Sequence, residues 1–550
     1  MSIQATSSSS AGTVRQQSRR TAELPPGYLQ IPERVNFTDL AVSRHVREGR
    51  GACPALHFEG TTFTYAELER YINRCGNALR TLGIGPGARF VIRARNSPQY
   101  AALFFAGLKL GAVPIPSNSL FRAWELGYII RNSGAKAVFT TEGLVAPVEE
   151  VRANCPSLES IVSIDGGPSC QGTTLDQLMV NQPDELSAAD TRADDLAFLI
   201  YTSGTTQRPK GVEHAHRMVI AGSDAVCNEL MQLRPEDVCM QPQEISFVYS
   251  LICGLVFPLY AGAQTVLYPG RFDPDRALQA VQRYGVTEFV AVPTIFRMLL
   301  TAEDVTERYD LSSIRMGISG GEPLPEHTYK EVRRKFGFEI YDLIGQTEAW
   351  IYMSNRPGLP VKPGSLGQPL TGRCTAILGG SGEPAAVGEV GHLCIAADDP
   401  GLALGYRGQQ ELWEQRFKGG WFYTGDLAYR DEDGYYWYVS RGDDLIKSRA
   451  YLISPGEVEA ATMQHPAVLE SAVIGVPDKL LGQRVRAYVV LKPGHEPTPA
   501  LAEEIRERAR MVIAPYKIPK DIEFLPELPK TATGKIRRTE LREYASRIGT

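Results

Sequence analysis

A short run of hydroxyls, glycines and cations is the first stretch of this sequence that could do chemistry. Residues 201–211 read YTSGTTQRPKG and follow the apolar stretch 196–200. Glycines let backbone amides approach a ligand closely, and hydroxyls with cations suit an oxyanion such as a phosphate. The run differs from a Walker loop, because Pro209 precedes Lys210 and Gly211 follows it. Taken alone, it indicates either a phosphate site or a solvated turn.

Five later segments also concentrate acids, amides and cations. They read SGGEPLP (319–325), YDLIGQTEA (341–349), WFYTGDLAYR (421–430), SRGDDLIKSRAYLISPGEVE (440–459) and LPKTATGKIRR (528–538). In this order, with the 201–211 run upstream, they resemble the adenylate-forming superfamily. Its members are acyl- and aryl-CoA synthetases, adenylation domains of peptide synthetases and firefly-type luciferases. The resemblance spans nearly all of residues 35–540.

The resemblance implies a site for ATP and Mg²⁺. It places the β- and γ-phosphates in the 201–211 loop, adenine against SGGEP and the ribose hydroxyls on an Asp–Arg pair. Thr347 and Glu348 would lie at a phosphate and at Mg²⁺, a hard cation that prefers oxygen ligands. A Gly-Gln-Thr-Glu run is also typical of a strand-to-helix cap, and Asp–Arg pairs are often surface ion pairs. The ATP- and AMP-binding residues that it implies are Thr202, Ser203, Gly204, Thr205, Thr206, Lys210, Gly320, Gly321, Glu322, Asp342, Gln346, Asp426 and Arg441.

The same resemblance assigns a catalytic lysine and a pivot near the C-terminus. Lys535 would stabilise the charge that accumulates on the α-phosphate when a carboxylate attacks it. The product acyl-AMP would then react with the thiol of coenzyme A. Asp443 would be the pivot about which a small C-terminal domain turns between the two steps. As alternatives, Lys535 would belong to a solvated basic tail and Asp443 to a turn.

Two positions depart from the family pattern. Gln207 replaces the glycine that is usual in the phosphate loop, and a position that needs φ > 0 disfavours glutamine. The usual Lys-x-x-Gly after the pivot reads Lys447 to Ala450, and in CoA-using members that glycine lets the pantetheine arm pass. Arg449 could compensate by contacting a CoA phosphate.

The acid pocket is expected around FVYS (247–250) and the segment that follows Glu348. Amino-acid-activating domains place an aspartate where this chain has Val248, and a buried ammonium without a partner is costly. Phe247, Tyr249 and Trp350 would then line an aromatic pocket, although such spacings also suit a core. The runs 344–358 and 119–126 resemble the benzoate–CoA ligase branch. An aryl- or small cyclic acyl-CoA ligase is predicted, with a short- or branched-chain acyl-CoA synthetase, a carrier-protein-loading enzyme or a catalytically impaired binder as alternatives.

Composition excludes several other classes. The chain has 550 residues and a formal charge of −5, so it lacks the basic net charge that is typical of a nucleic-acid-binding protein. Nine dispersed cysteines favour reduced thiols in a cytoplasmic protein. The longest apolar run, 252–263, contains a proline and is too short for a transmembrane helix. Residues 1–27 are Ser- and Arg-rich, so they predict a disordered tail or, alternatively, an organellar transit peptide. The protein would be a monomer or a homodimer.

The elements that position these motifs alternate between strand and helix. A hairpin at LHFEGTTFTY precedes a helix that a Thr64–Glu67 capping box begins and Gly83 ends. Short apolar runs then alternate with amphipathic segments, and this pattern predicts α/β layering. We expect a tail at 1–27, a large layered α/β N-terminal domain at 28–442 that binds ATP and the acid, and a small mobile α+β domain at 443–550.

Overall fold

The structure is a computed structural model that describes residues 28–166, 173–202, 209–302, 304–442, 444–448, 451–478, 481–530 and 536–547. The tail predicted for residues 1–27 lies outside these ranges. Across the described ranges, no helix has both the length and the apolar character that a membrane span requires.

The first segment confirms the predicted hairpin and capped helix. Thr64 Oγ1 accepts a hydrogen bond from the Glu67 amide at 3.2 Å, and the Glu67 carboxylate accepts one from the Thr64 amide at 2.8 Å. These bonds satisfy amides that lack partners within the helix. The elements are β1 (Pro54–Phe58), β2 (Thr61–Thr64), α1 (Tyr65–Thr81), β3 (Arg89–Arg93), α2 (Pro98–Lys109), β4 (Val113–Pro116), α3 (Ala123–Ser133), β5 (Ala137–Thr140), α4 (Ala146–Arg152) and β6 (Ser160–Ser163).

The second segment contains the predicted apolar strands and the helices between them. Most of these strands are buried on both faces, as parallel strands between helices are. The elements are α5 (Leu175–Met179), β7 (Leu196–Thr202), β8 (Lys210–Ala215), α6 (Met218–Ala221), β9 (Val238–Gln241), α7 (Val248–Leu251), α8 (Phe257–Ala261), β10 (Gln264–Leu267), α9 (Pro274–Tyr284), β11 (Glu288–Ala291), α10 (Pro293–Thr301), α11 (Val305–Arg308), β12 (Met316–Ser319), α12 (Glu326–Phe336), β13 (Glu339–Gln346) and β14 (Trp350–Ser354).

The third segment is mostly antiparallel, and its aromatic strands β20 and β21 coincide with the predicted ones. Alternate residues of β20 are buried, which is the pattern of a strand with one face on the core. The elements are β15 (Gln368–Pro369), β16 (Thr375–Leu378), β17 (Gly391–Ala396), β18 (Gly405–Tyr406), α13 (Gln410–Glu414), β19 (Phe417–Lys418), β20 (Trp421–Arg430) and β21 (Tyr436–Arg441).

The fourth segment is a small α+β unit. Its long strands β24 and β25 pair antiparallel, and three α-helices are described beside them. The predicted boundary between residues 442 and 443 falls beside a position outside the described ranges, so it stays a prediction. The elements are β22 (Ile446–Ser448), β23 (Tyr451–Ile453), α14 (Pro455–Thr462), β24 (Val468–Asp478), β25 (Gly482–Leu491), α15 (Pro499–Arg510), β26 (Asp521–Phe524) and α16 (Arg538–Arg547).

Five sheets in the described chain organise these elements into a layered α/β fold. The largest has nine strands in the order β15-β14-β13-β12-β11-β9-β10-β1-β2, and β10, β9, β11, β12 and β13 run parallel. A four-stranded parallel sheet has the order β4-β3-β5-β6, and β18-β8-β7 forms a third sheet. The remaining sheets are β16-β17-β20-β19 with β21 on β20, and β23-β22-β25-β24 with β26 on β25. The predicted fold class is confirmed.

Candidate active site

The carboxyl ends of β11 and β12 lie beside the middle of β13 in the large sheet. Ala291 pairs with Ser319, and Ser319 pairs with Asp342. Ligands of open α/β sheets bind outside the carboxyl ends of the strands. This register therefore places the SGGEP loop, which follows β12, at a position that suits a ligand.

Two glycines let the SGGEP loop pack closely against its neighbours. Gly321 has φ +86°, a conformation that favours glycine. A Cβ on Gly320 would lie 2.6 Å from Leu343 Cδ1 and 3.1 Å from Tyr249 Cε2. Glycine is therefore required at 321 by the backbone conformation and at 320 by the lack of space for a side chain. The loop backbone lies against the Tyr249 ring.

Asp342 is a buried carboxyl beside this loop. The Leu324 amide donates to its Oδ2 at 3.3 Å. Burial raises the pKa of Asp342 to about 8, against 3.8 for an exposed aspartate. At neutral pH the side chain is therefore largely protonated, and a neutral carboxyl can donate a hydrogen bond as well as accept one.

Thr347 and Glu348 lie on a tight turn between two antiparallel strands. Gln346 in β13 pairs with Trp350 in β14, and residues 347–349 form the turn. The alternative interpretation of this motif as a strand-to-helix cap is therefore wrong. Gln346, Thr347 and Glu348 are all half-buried. The hairpin thus presents an amide, a hydroxyl and a carboxylate on one connected stretch.

Both the backbone and the side chain of Glu348 are anchored by the segment that leads into β18. The Ala403 amide donates to the Glu348 carbonyl at 2.8 Å, and the Tyr406 hydroxyl donates to Glu348 Oε1 at 2.5 Å. Arg416 Nη1 donates to the same Tyr406 hydroxyl at 3.3 Å. Sequence reasoning missed both Tyr406 and Arg416, because no motif or spacing in the sequence connects them to Glu348.

The phosphate-type loop joins the antiparallel strands β7 and β8. Thr202 pairs with Lys210 where the loop begins and ends. The Lys210 ammonium lies 5.4 Å from the centroid of the Tyr406 ring, within the range of a cation–π contact. Val212, two residues on, pairs with Tyr406 across β8 and β18. The predicted loop residues Ser203, Gly204, Thr205, Thr206 and Gln207 lie outside the described ranges.

The predicted ribose pair forms an ion pair between neighbouring strands. Arg441 Nη1 lies 3.1 Å from Asp426 Oδ1, and their side chains are 41% and 10% exposed. Gly425, with φ +82°, bends β20 beside them, and a Cβ there would lie 3.0 Å from Arg441 Nη2. The two groups thus lie together, with Asp426 buried and Arg441 partly exposed, while their role toward a sugar stays a prediction.

The predicted pocket residues differ in their burial, because Phe247, Val248 and Tyr249 are half-buried and Trp350 is fully buried. Phe247 and Val248 begin α7, and the Tyr249 hydroxyl lies 3.4 Å from both the Ala291 and the Ile318 carbonyl oxygens. Tyr249 therefore stands at the carboxyl ends of β11 and β12. Trp350 is only 1% exposed and packs in the core, as the alternative interpretation held, so it does not line an open space.

The functional residues predicted near the C-terminus lie mainly outside the described ranges. Asp443, Arg449, Ala450 and Lys535 are all outside them. The loop that contains Lys535 is closed at its base by a β-bridge between Lys530 and Ile536. The predicted CoA residue Lys447 is exposed in β22, where its amide donates to Gln483 Oε1 at 2.7 Å.

The oxygen atoms of the side chains on this turn suit a metal ion that binds together with a nucleotide. Among the described residues, no three His, Cys, Asp or Glu side chains form a metal-binding group. Mg²⁺ is usually held by one or two carboxylates together with substrate phosphates, and it seldom has an all-protein cage. The Glu348 carboxylate and the Thr347 hydroxyl supply the oxygen ligands that such a complex would need.

Comparisons with known proteins bear on the family to which the chain belongs. The family model described as AMP-binding enzyme matches residues 43–407, and the AMP-binding enzyme C-terminal domain matches residues 457–535. The chain is 34% identical to benzoate–CoA ligase of Thauera aromatica over 94% of this chain and 97% of that protein. It is 36% identical to 4-hydroxybutyrate–CoA ligase 1 of Metallosphaera sedula over 94% of this chain and 92% of that protein. The crystal structure of the anthranilate CoA ligase AuaEII with anthranoyl-AMP matches with a TM-score of 0.89 and 35% identity, covering 94% of this chain and 98% of that one.

Proposed function

Because this chain belongs to the AMP-binding enzyme family, we propose that it is an AMP-forming acid–CoA ligase for aromatic or small cyclic carboxylates. The carboxylate attacks the α-phosphate of ATP and gives acyl-AMP and pyrophosphate. The thiol of coenzyme A then attacks the acyl carbon, loses its proton and gives the thioester and AMP. The relatives' names support acid–CoA ligation, since they include a benzoate–CoA ligase and a 4-hydroxybutyrate–CoA ligase.

The predicted site residues would divide the work of the first step. Thr347 and Glu348 would hold the Mg²⁺ of the Mg·ATP complex, whose charge offsets that of the phosphate oxygens. Lys210 would contact the phosphates from the base of its loop, and the Asp426–Arg441 pair would hold the ribose. The SGGEP loop and the largely neutral Asp342 would lie against adenine. Lys535 would supply the ammonium that stabilises the transferring phosphoryl group.

The substrate class is supported by the close packing of the Tyr249 ring against Gly320, which gives the site a flat apolar wall. The ring of Tyr249 lies at the carboxyl ends of β11 and β12, and Gly320 has no side chain between that ring and the loop. Val248 and Phe247 add apolar surface on α7, and the absence of a carboxylate at 248 disfavours amino acids. A flat or compact ring acid fits such a wall best.

A panel of acids tests the substrate class directly. We would measure kcat/KM by pyrophosphate release for benzoate, cyclohexanecarboxylate, butyrate, octanoate, acetate and glycine, with and without coenzyme A. Each buried CH₂ contributes about 0.8 kcal/mol, so ring acids should exceed acetate by at least ~100-fold, and glycine should be inert. A preference for butyrate would favour the short-chain alternative that the 4-hydroxybutyrate–CoA ligase relative suggests. Pyrophosphate release without thioester would favour carrier-protein loading.

A matched pair of glycine variants tests the wall itself. Gly320→Ala would place a methyl group 2.6 Å from Leu343 Cδ1 and 3.1 Å from Tyr249 Cε2, whereas the methyl group of Gly143→Ala meets no atom within 4 Å. Gly320→Ala should lower kcat/KM for ring acids more than for acetate. Gly143→Ala should leave both values unchanged. An equal loss of kcat/KM for all acids in Gly320→Ala would mean that Tyr249 does not take part in acid recognition.

A further inference from the structure

The turn that carries Glu348 is backed by a tyrosine and an arginine that the proposed mechanism does not use. Tyr406 is 2% exposed, and its hydroxyl donates to Glu348 Oε1 at 2.5 Å. A hydrogen bond to a carboxylate is stronger and shorter than one between neutral groups. One oxygen of the carboxylate is thereby fixed by protein, and the carboxylate plane is fixed with it.

Arg416 reinforces this bond from the far side of the phenol. Its Nη1 donates to the Tyr406 hydroxyl at 3.3 Å, and its Nε donates to the Tyr423 carbonyl at 2.7 Å. The guanidinium carbon also lies 4.9 Å from the centroid of the Phe422 ring. A hydroxyl that accepts from a cation is polarised and becomes a better donor to its own acceptor. Arg416, Tyr406 and Glu348 therefore form one chain of donors that ends on the carboxylate.

The ring of Tyr406 is held independently of its hydroxyl. It packs edge-on against Trp413 with centroids 5.1 Å apart, and its face meets the Lys210 ammonium at 5.4 Å. Burial and the neighbouring Glu348 carboxylate raise the pKa of Tyr406, so the phenol keeps its proton. Removal of the hydroxyl alone should therefore leave the ring, its packing and its contact with Lys210 in place.

We propose that Tyr406 and Arg416 are positioning residues that hold one oxygen of Glu348 and leave the other aimed at the metal–nucleotide complex. This inference rests on the proposed function, because it assigns Glu348 to Mg·ATP. Partners behind a metal-binding side chain fix its orientation, and their loss typically lowers metal affinity 10- to 100-fold. Tyr406 and Arg416 should accordingly affect the part of ATP affinity that depends on Mg²⁺ and leave the metal-free part unchanged.

The test measures ATP binding by titration calorimetry, with Mg²⁺ and with EDTA, on the full-length protein. In Tyr406→Phe the gain in ATP affinity on adding Mg²⁺ should fall roughly 10-fold, while affinity in EDTA should stay within about twofold. Arg416→Met should show a smaller loss of the same kind, and Arg416→Lys should recover part of it, because the lysine keeps the charge.

Two control variants separate positioning from general loss of structure. Tyr435→Phe removes another buried hydroxyl, which donates to the Pro360 carbonyl at 2.6 Å, and Arg430→Met removes an exposed arginine at the end of β20. Both should retain the wild-type Mg²⁺ gain. The inference fails if Tyr406→Phe also retains that gain, or if Tyr435→Phe loses as much. Absence of ATP binding in the wild type would instead contradict the proposed function.

Discussion

The indole nitrogen of Trp350 donates a hydrogen bond to Nδ1 of His214 at 3.1 Å. Trp350 directly follows the turn of Thr347 and Glu348 and has φ +53°, a left-handed conformation that is strained for a bulky side chain. Its ring packs against Phe37 and Phe257, with centroids 6.3 and 6.0 Å away. Such strain persists only where the surroundings over-determine it. The core therefore fixes the backbone at one end of the turn.

His214 should make the stability of the fold depend on pH. Burial lowers its pKa to about 3, so the folded state excludes a proton that the unfolded chain binds below pH 6.5. Its contribution is present in full above pH 6.5 and is lost as pH falls toward 3, by up to about 1.4 kcal/mol per pH unit. His214→Asn keeps an acceptor for Trp350 but cannot be protonated. Denaturant unfolding at pH 7, 6 and 5 should show a shallower pH dependence in this variant than in the wild type.

Other buried histidines set the baseline for that comparison. His45 and His216 also have pKa values lowered to about 4, with burial as the main cause. The free energy of unfolding of the wild type should therefore fall with decreasing pH more steeply than His214 alone would cause. His214→Asn should remove only the share of this pH dependence that His214 contributes. Equal slopes in the two proteins would show that His214 is protonated in the folded state.

A buried ion pair holds the same turn from another side. Arg373 and Asp399 are 2% and 0% exposed and lie 3.1 Å apart, and Arg373 Nη2 donates to the Ala349 carbonyl at 2.8 Å. Asp399→Asn leaves a buried guanidinium without its counter-charge, which typically costs about 3–5 kcal/mol. We expect a loss of that order in the free energy of unfolding, measured by chemical denaturation.

Two comparisons give this prediction its controls. The exposed pair of Arg34 and Asp190 has side chains 53% and 75% exposed, so Asp190→Asn should change stability by less than about 1 kcal/mol. The double variant Arg373→Met with Asp399→Asn should lose less than the sum of the two single losses, because neither charge is then left alone. Additive losses would mean that the two side chains act independently.

The parts of the fold that could be predicted are those with local signals. The capping box at Thr64, the alternation of apolar runs and the aromatic strand β20 each depend on residues close in sequence, and the structure confirms them. The superfamily motifs likewise led to Glu348 and to the Asp426–Arg441 pair, which the structure brings within 3.1 Å. Their roles in binding stay predictions.

The parts that could not be predicted depend on contacts between distant segments. Tyr406 is 58 residues from Glu348, and His214 is 136 residues from Trp350. Residue type alone does not tell whether an aromatic side chain such as Trp350 lines a pocket or packs in a core. The Gly-Gln-Thr-Glu run likewise suits a helix cap and a hairpin turn equally well, and only the pairing of β13 with β14 decides between them.

Ala450 provides a prediction about the second half-reaction. The family pattern has glycine at this position, so its methyl group would narrow the passage for the pantetheine arm. Ala450→Gly should lower the apparent KM for coenzyme A or raise CoA-dependent turnover, while pyrophosphate release in the absence of coenzyme A stays unchanged. Thioester formation at varied coenzyme A concentration is the measurement. If neither parameter changes, the methyl group does not obstruct the arm.

Lys535 provides the sharpest test of the first half-reaction. Its ammonium would act on the phosphoryl charge that develops only while acyl-AMP forms, so Lys535→Ala should lower pyrophosphate release by at least ~100-fold. Conversion of presynthesised acyl-AMP to thioester should remain close to the wild-type rate. Lys530→Ala is the matched control, because Lys530 lies at the other end of the same loop, where its ammonium is 2.6 Å from Glu470. It should retain both half-reactions, and equal losses of the two half-reactions in Lys535→Ala would mean that Lys535 supports the loop structure instead of the chemistry.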